Sequence, residues 1–108
     1  MKALIFGLLV IAASPGAQAK RQFTGTITDG MCPEGDHIFM RMGPTAGECT
    51  IACVDAHGAL YVLYDGKETY ALSDQKTPEK FAGQKVTVTG TLDGKTATIQ
   101  VDSIVAAK

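Results

Sequence analysis

The residues of this chain that are best suited to bind a transition metal are concentrated in one stretch, residues 31–57. This stretch holds all three cysteines, both histidines and three of the four methionines, namely Cys32, Cys49, Cys53, His37, His57, Met31, Met40 and Met42. Thiolates and imidazoles bind zinc and copper, whereas thioethers suit copper(I) and not zinc. The composition of the stretch therefore predicts a transition-metal site that favours copper over zinc.

Two of the cysteines are spaced for one face of a helix. Cys49 and Cys53 are four residues apart in a segment, residues 48–56, that contains no Gly or Pro. On a helix their Cβ atoms would lie about 5–6 Å apart, whereas a disulfide needs about 3.8 Å. The pair is therefore better placed to share a metal ion than to form a disulfide with each other.

The remaining candidate ligands come from a loop that follows the first predicted strand. Pro33 and Gly35 separate Cys32 from His37 and favour a tight reversal, which would bring the thiol and the imidazole together. We expect the principal ligands to be Cys32, His37, Cys49 and Cys53. We expect auxiliary ligands at Met40, Met42 and His57.

Each candidate ligand also has a simpler interpretation. Cysteines of exported proteins usually pair, so Cys32 in a disulfide with Cys49 or Cys53, with the third thiol buried, remains an alternative. His37 would then be a solvated loop residue and His57 a helix-end residue that interacts with the helix dipole. Met40 and Met42 would pack within the loop.

Catalysis has little support in the sequence. No third residue that would orient a Cys–His nucleophile pair can be identified. The Cys-x3-Cys spacing also differs from the Cys-x2-Cys of thiol oxidoreductases. We therefore expect binding, delivery or electron transfer rather than an enzyme. A disulfide-stapled interaction module is the first alternative and a thiol-based redox protein is the second.

The first residues predict export. A basic start, a short apolar run and the sequence Ala17-Gln18-Ala19 are typical of a secretory signal peptide over residues 1–19. The apolar run is too short to remain as a membrane span. We expect a periplasmic or secreted mature chain, residues 20–108, without a membrane span.

The charge balance limits the partners of the protein. The chain has ten Lys and Arg residues against eleven Asp and Glu, and it has no Trp. A near-neutral chain without a basic excess argues against nucleic acid as a partner. The expected partners are a metal ion and, in addition, another exported protein.

The rest of the chain predicts a β framework. The sequence indicates five strands. Alternation predicts strands at residues 22–29, 84–92 and 95–105, a strongly apolar run predicts one at 59–64, and the chain returns as a strand at 67–73. Asp-Gly pairs at residues 65–66 and 93–94 predict hairpin turns. With one short helix at residues 74–82, between strands 3 and 4, this order predicts a mainly β, five-stranded OB-like barrel with a Cys/His/Met-rich insertion at residues 31–58 after strand 1. An immunoglobulin-like sandwich would need about seven strands.

Two resemblances accompany these patterns. The strings TGTITDGMC, CTIACV, YVL and KVTVTGTL resemble a family of small exported bacterial proteins of unsettled function. That resemblance implies an OB-like barrel with a soft-ligand site in a Met-Cys…His…Cys-x3-Cys insertion, and it implies no reaction. The spacing Cys49-x3-Cys53-x3-His57 resembles the cysteine loop of the binuclear purple copper centre of cytochrome oxidase subunit II. Leu60 stands where that loop has methionine, and only His37 could supply its second histidine.

Overall fold

The computed structural model describes residues 19–34 and 44–108 of the chain. It contains five strands, β1 (Arg21–Asp29), β2 (Tyr61–Tyr64), β3 (Thr69–Leu72), β4 (Lys85–Asp93) and β5 (Thr98–Ala106). An α-helix, α1 (Ala46–His57), lies between β1 and β2, and a 3-10 helix (Thr77–Phe81) lies between β3 and β4. The predicted signal peptide lies outside the described residues except for Ala19.

The strands pair in the order β1-β2-β3-β5-β4, and β4 returns to β1, so the sheet closes into a barrel. The β3–β5 pair is parallel, and the other four pairs are antiparallel. The prediction of a mainly β chain with five strands is confirmed.

Inward-facing side chains of all five strands form the core. Its buried residues are Phe23, Ile27, Tyr61, Leu63, Leu72, Val86, Val88, Ile99 and Ile104. They alternate with outward-facing residues along most of β1 and β4, as expected where one face of a strand is buried. Val54 of α1 also packs against this core, so the helix covers one part of the barrel.

The prediction that the short helix lies between strands 3 and 4 is wrong. That connection holds only the 3-10 helix, because turn chemistry leaves too little chain for an α-helix. The Asp74 carboxylate accepts the backbone N–H groups of Lys76 and Thr77 at 2.9 and 3.0 Å, which forms a tight turn at the start. Gly83, with φ of 77°, ends the segment.

The chain's α-helix instead follows β1, where a helix over residues 48–56 was also considered. Thr45 accepts the Glu48 N–H at 3.1 Å and donates its own hydroxyl to the Glu48 carboxylate at 3.2 Å. Thr45 is therefore the N-cap residue that starts α1, and the second bond holds its hydroxyl in place. At the other end Gly58 adopts a left-handed conformation, with φ of 68°, which glycine accepts without strain. These two caps define the segment that carries Cys49 and Cys53.

The helix N-terminus lies directly against the β3–β4 connection. A Cβ atom added to Gly47 would lie 2.7 Å from the Ala82 carbonyl oxygen, so the two backbones are in close contact. Gly83 in turn donates its N–H to the Ile27 carbonyl of β1 at 2.8 Å. The helix is thereby fixed relative to β1, against which it also packs. None of the helices in the described part of the chain has the length and apolar character needed to cross a bilayer.

Candidate metal centre

The first half of the candidate site is the buried face of α1. Cys49 and Cys53 are both fully buried, as is Thr50 beside them. Their four-residue spacing places the two thiols one turn apart on the side of the helix that faces the barrel. The sequence prediction that these cysteines share one helix face is confirmed.

The second half is the short segment that follows β1 and carries Cys32. This segment turns back on the strand, so that Cys32 forms an isolated bridge with Asp29. The Cys32 N–H donates to the Asp29 carboxylate at 3.0 Å, and the Thr28 hydroxyl donates to the Cys32 carbonyl at 2.7 Å. Cys32 is held by both of its backbone polar groups, and its side chain is buried.

Asp29 joins the two halves of the site. It is the last residue of β1 and is completely buried. Its Oδ1 accepts the N–H groups of Met31 and Cys32 at 2.9 and 3.0 Å. Its Oδ2 has no partner of regular hydrogen-bond geometry among the described residues, although the Cys53 thiol lies near enough to interact with the carboxylate. One carboxylate is therefore adjacent to both cysteine-bearing segments.

Cys53 interacts electrostatically with the other two cysteines. Burial raises the pKa of the Cys53 thiol, and the charge of Asp29 together with the Cys32 and Cys49 thiols raises this pKa further. All three cysteines lie among the described residues, and no disulfide joins them. Within residues 19–34 and 44–108, no group of three or more His, Cys, Asp and Glu side chains has the geometry of a metal site.

A buried tyrosine lies next to the carboxylate. Tyr61 of β2 is the cross-strand partner of Asp29 in the β1–β2 ladder. Burial raises the pKa of the Tyr61 phenol to about 12, and the charges of Glu79, Asp55 and Asp29 contribute to this rise. Its hydroxyl and that of Thr50 are buried without a hydrogen-bond partner among the described residues. The surroundings of Asp29 thus contain several buried polar atoms that are not satisfied locally.

The backbone of Tyr61 is fixed from outside the barrel by one glutamine. The Gln75 side chain accepts the Tyr61 N–H at 2.8 Å and donates to the Tyr61 carbonyl at 2.9 Å. The same amide nitrogen also donates to the Leu72 carbonyl at 3.0 Å. Gln75 therefore ties the start of β2 to the end of β3 and holds Tyr61 opposite Asp29.

The other predicted ligands are not part of the buried group. α1 does extend to His57, but this side chain is exposed at the C-terminal turn. His37, Met40 and Met42 lie outside the described residues, so the structure gives no position for them. Of the seven predicted ligands, the structure brings together the three cysteines.

Sequence reasoning missed Asp29 and Tyr61. Asp29 precedes Gly30, and an Asp before a Gly is usually an exposed turn residue, so the sequence does not suggest a buried carboxylate here. The apolar segment that starts at Ala59 had been interpreted as a plain strand. The Asp29 carboxylate accepts the N–H groups of Met31 and Cys32, two and three residues further on. This role becomes visible only once it is known that the chain turns back after β1.

A separate surface groove shares no residue with the cysteine cluster. It has a volume of about 230 Å³ and is lined by Thr24, Gly25, Thr26, Tyr64, Asp65, Gly66 and Lys85. Its lining contains no thiol or imidazole, so it is not part of the candidate metal centre.

One protein family matches part of the chain. The family described as "Protein of unknown function (DUF5818)" matches residues 55–107. The chain is thus similar to that family from the last turn of α1 through β5, a region that excludes all three cysteines. No curated protein matches the chain. No solved structure matches it either.

Proposed function

We propose that this protein is an exported binding protein for a soft transition metal, with copper(I) favoured over zinc, and that Cys32, Cys49 and Cys53 are its thiolate ligands. One observation carries the proposal. Three buried cysteines from two separate segments interact through Cys53, which also interacts with Asp29. Such a cluster of soft donors is the chemistry that binds copper(I) and zinc.

The protonation of the cluster argues against thiol catalysis. Reactive cysteines are exposed and have a lowered pKa, whereas Cys53 is buried and its pKa is raised. A soft metal ion displaces thiol protons because each metal–thiolate bond compensates the loss of the proton. Binding would also draw the three side chains inward, since they are neighbours rather than a formed cage.

The preference for copper(I) comes from residues outside the described part of the chain. Met40 and Met42 would supply thioethers, and His37 would supply an imidazole. These residues come from the part of the chain that directly follows the segment carrying Cys32, which we call the Cys32 arm. Thioethers stabilise copper(I) and do little for zinc. His57, which is exposed, would act only as an auxiliary ligand. The role of the site would be storage, delivery or electron transfer between exported proteins.

We also infer that the barrel belongs to the OB type. The support is the strand order β1-β2-β3-β5-β4, with a parallel β3–β5 pair and a short helical connection between β3 and β4. In an OB-fold the loops at the barrel ends carry the binding site. Here the insertion between β1 and β2 would be the functional addition.

Metal content is the direct test of this function. The mature protein, purified from the periplasm without reductant, should carry stoichiometric copper or zinc by elemental analysis. The double variant Cys49→Ser, Cys53→Ser should lose that metal, because a hydroxyl is a poor ligand for a soft ion. The control variant Ala56→Ser places a hydroxyl at an exposed position of the same helix and should keep the metal.

The same preparation separates the alternatives. A single disulfide, one remaining thiol and no metal after reconstitution with copper(I) would refute the proposal in favour of the disulfide-stapled module. Thiols that oxidise and reduce reversibly with a partner protein, again without metal, would favour the redox alternative.

A further inference from the structure

The buried oxygen of Asp29 is a ligand position that the three-thiol proposal does not use. Asp29 is completely buried. Its Oδ2 has no partner of regular hydrogen-bond geometry among the described residues, although the Cys53 side chain forms a hydrogen bond to the same carboxylate. A buried carboxylate oxygen without a partner costs free energy, and native proteins usually compensate this cost with a hydrogen bond or a metal ion.

We propose that Asp29 is the fourth ligand of this site when it holds a divalent ion of intermediate softness, such as Zn²⁺ or Co²⁺, so that three thiolates and one carboxylate oxygen surround the metal. This inference rests on the proposed function. It adds a second class of metal: copper(I) binds without the Asp29 carboxylate, whereas a divalent ion uses this carboxylate together with the three thiolates.

The two classes differ in charge and in ligand preference. Carboxylate oxygens are ordinary ligands of zinc, which is usually tetrahedral, whereas copper(I) favours sulfur over oxygen. A divalent ion also leaves the buried cluster less negative by one unit than copper(I) would with the same four groups. Since buried uncompensated charge is costly, the Asp29 carboxylate shifts the balance toward the divalent ion.

Hydrogen bonds orient the Asp29 carboxylate, but the described residues hold no formed metal site, so the thiols must move inward when the metal binds. Oδ1 is occupied by the N–H groups of Met31 and Cys32, which fix the carboxylate in one orientation. Oδ2 is the oxygen left for another partner. The metal-ligating oxygen would therefore be held by hydrogen bonds to its neighbour, as is usual for ligating carboxylates.

The test uses an isosteric variant. Asp29→Asn keeps Oδ1 as acceptor for both N–H groups and replaces the proposed ligand oxygen with an amide nitrogen, which does not bind the metal. The apo protein would be titrated separately with Co²⁺, read by the absorption of cobalt–thiolate bonds, and with copper(I) against a competing chelator. We expect Asp29→Asn to weaken Co²⁺ binding at least tenfold and to leave copper(I) affinity within threefold.

A matched control separates ligation from positioning. Thr28→Val removes the hydrogen bond to the Cys32 carbonyl but changes none of the proposed metal ligands. It should therefore lower the affinity for both metals by the same factor. If Asp29→Asn behaves like Thr28→Val, or leaves Co²⁺ binding unchanged, the carboxylate is not a ligand and the inference is overturned.

Two further results complete the test. If the wild-type protein binds neither metal, the proposed function fails, and the inference fails with it. If it binds copper(I) but not Co²⁺, only the inference fails. Should Asp29→Asn not fold, the cadmium-113 resonance of the wild-type protein decides, because its position distinguishes three sulfurs plus one oxygen from a set made of sulfur alone.

Discussion

The two oxygens of Asp29 have different surroundings, and this difference links the two halves of the candidate site. Oδ1 holds the backbone of the Cys32 arm, and the carboxylate also interacts with Cys53 on α1. Opposite it, the Tyr61 phenol is buried and has no hydrogen-bond partner among the described residues. At this scale the site is a small polar region inside a largely apolar barrel.

Tyr61 should make the protein lose stability at alkaline pH. Its folded-state pKa of about 12 lies above the ordinary value of about 10. Between these values the unfolded chain releases the proton while the folded protein keeps it. The free energy of unfolding should therefore fall by roughly 2–3 kcal/mol as the pH rises from about 10 to about 12.

This prediction is checked by measuring the free energy of urea unfolding of the wild type and of Tyr61→Phe, at pH 7 and from about pH 10 to about pH 12. The variant should lack this part of the alkaline loss. At pH 7 it should be at least as stable as the wild type, because it removes a buried hydroxyl that makes no hydrogen bond. Identical pH dependence in the two proteins would show that the phenol is not buried as described.

Which residues would carry the site was only partly predictable. The three cysteines were identified because thiols are rare and their types alone suggest metal chemistry. Asp29 was not, since aspartate is common at turns and its burial depends on the helix that covers it. His57 was predicted as an auxiliary ligand from its helical spacing, but spacing cannot show that the last turn of α1 leaves this side chain exposed.

At the scale of elements, helix α1 places Cys49 and Cys53 on one buried face, which forms half of the candidate site. The Thr45 N-cap and the glycine stop define a helix of three turns, and the close contact of Gly47 with Ala82 fixes its N-terminus. The Ala59 N–H also donates to the Cys53 carbonyl at 3.3 Å, so the C-terminal cap lies close to a proposed ligand.

Substitution of the glycine stop should therefore affect metal binding. Gly58→Ala puts a side chain at φ of 68° with open space around it, so the cost is backbone strain of about 1 kcal/mol. Part of this strain should be relieved by fraying of the last helical turn. Copper(I) affinity should then fall by up to about fivefold, the equivalent of 1 kcal/mol.

Gly66→Ala is the matched control for this experiment. Gly66 also has a positive φ, 98°, and open space around it, but it lies in the β2–β3 connection. Chemical unfolding should show a similar loss of stability in both variants, while competition titration shows weaker copper binding only in Gly58→Ala. Equal copper affinity in the two variants would mean that the cap does not position Cys53.

The strands were predicted well because alternation and Asp-Gly turns are local signals. The helix predicted at residues 74–82 is a 3-10 helix at Thr77–Phe81, which lies between the Asp74 turn and Gly83. The absence of Gly and Pro from residues 48–56 suggested helix α1. Its packing on β1 was not predictable, because it depends on a contact between Gly47 and residues far along the chain.

At the scale of the whole molecule, closure of the sheet brings the two cysteine segments together. Gly25 permits this closure, since a Cβ there would collide with the Tyr64 carbonyl, and Gly90 does the same against the Gln100 carbonyl. The number of strands was predictable from local patterns. The convergence of α1 and the segment that carries Cys32 on Asp29 was not, because it is a long-range consequence of the fold.

X-ray absorption at the copper edge tests the central claim most directly. The mature protein loaded with one equivalent of copper(I) should show a first shell dominated by three sulfur atoms. Each single variant, Cys32→Ser, Cys49→Ser or Cys53→Ser, should reduce the number of sulfur neighbours. A first shell of nitrogen and oxygen alone, or a sulfur shell that Cys32→Ser leaves unchanged, would contradict a site built from both segments.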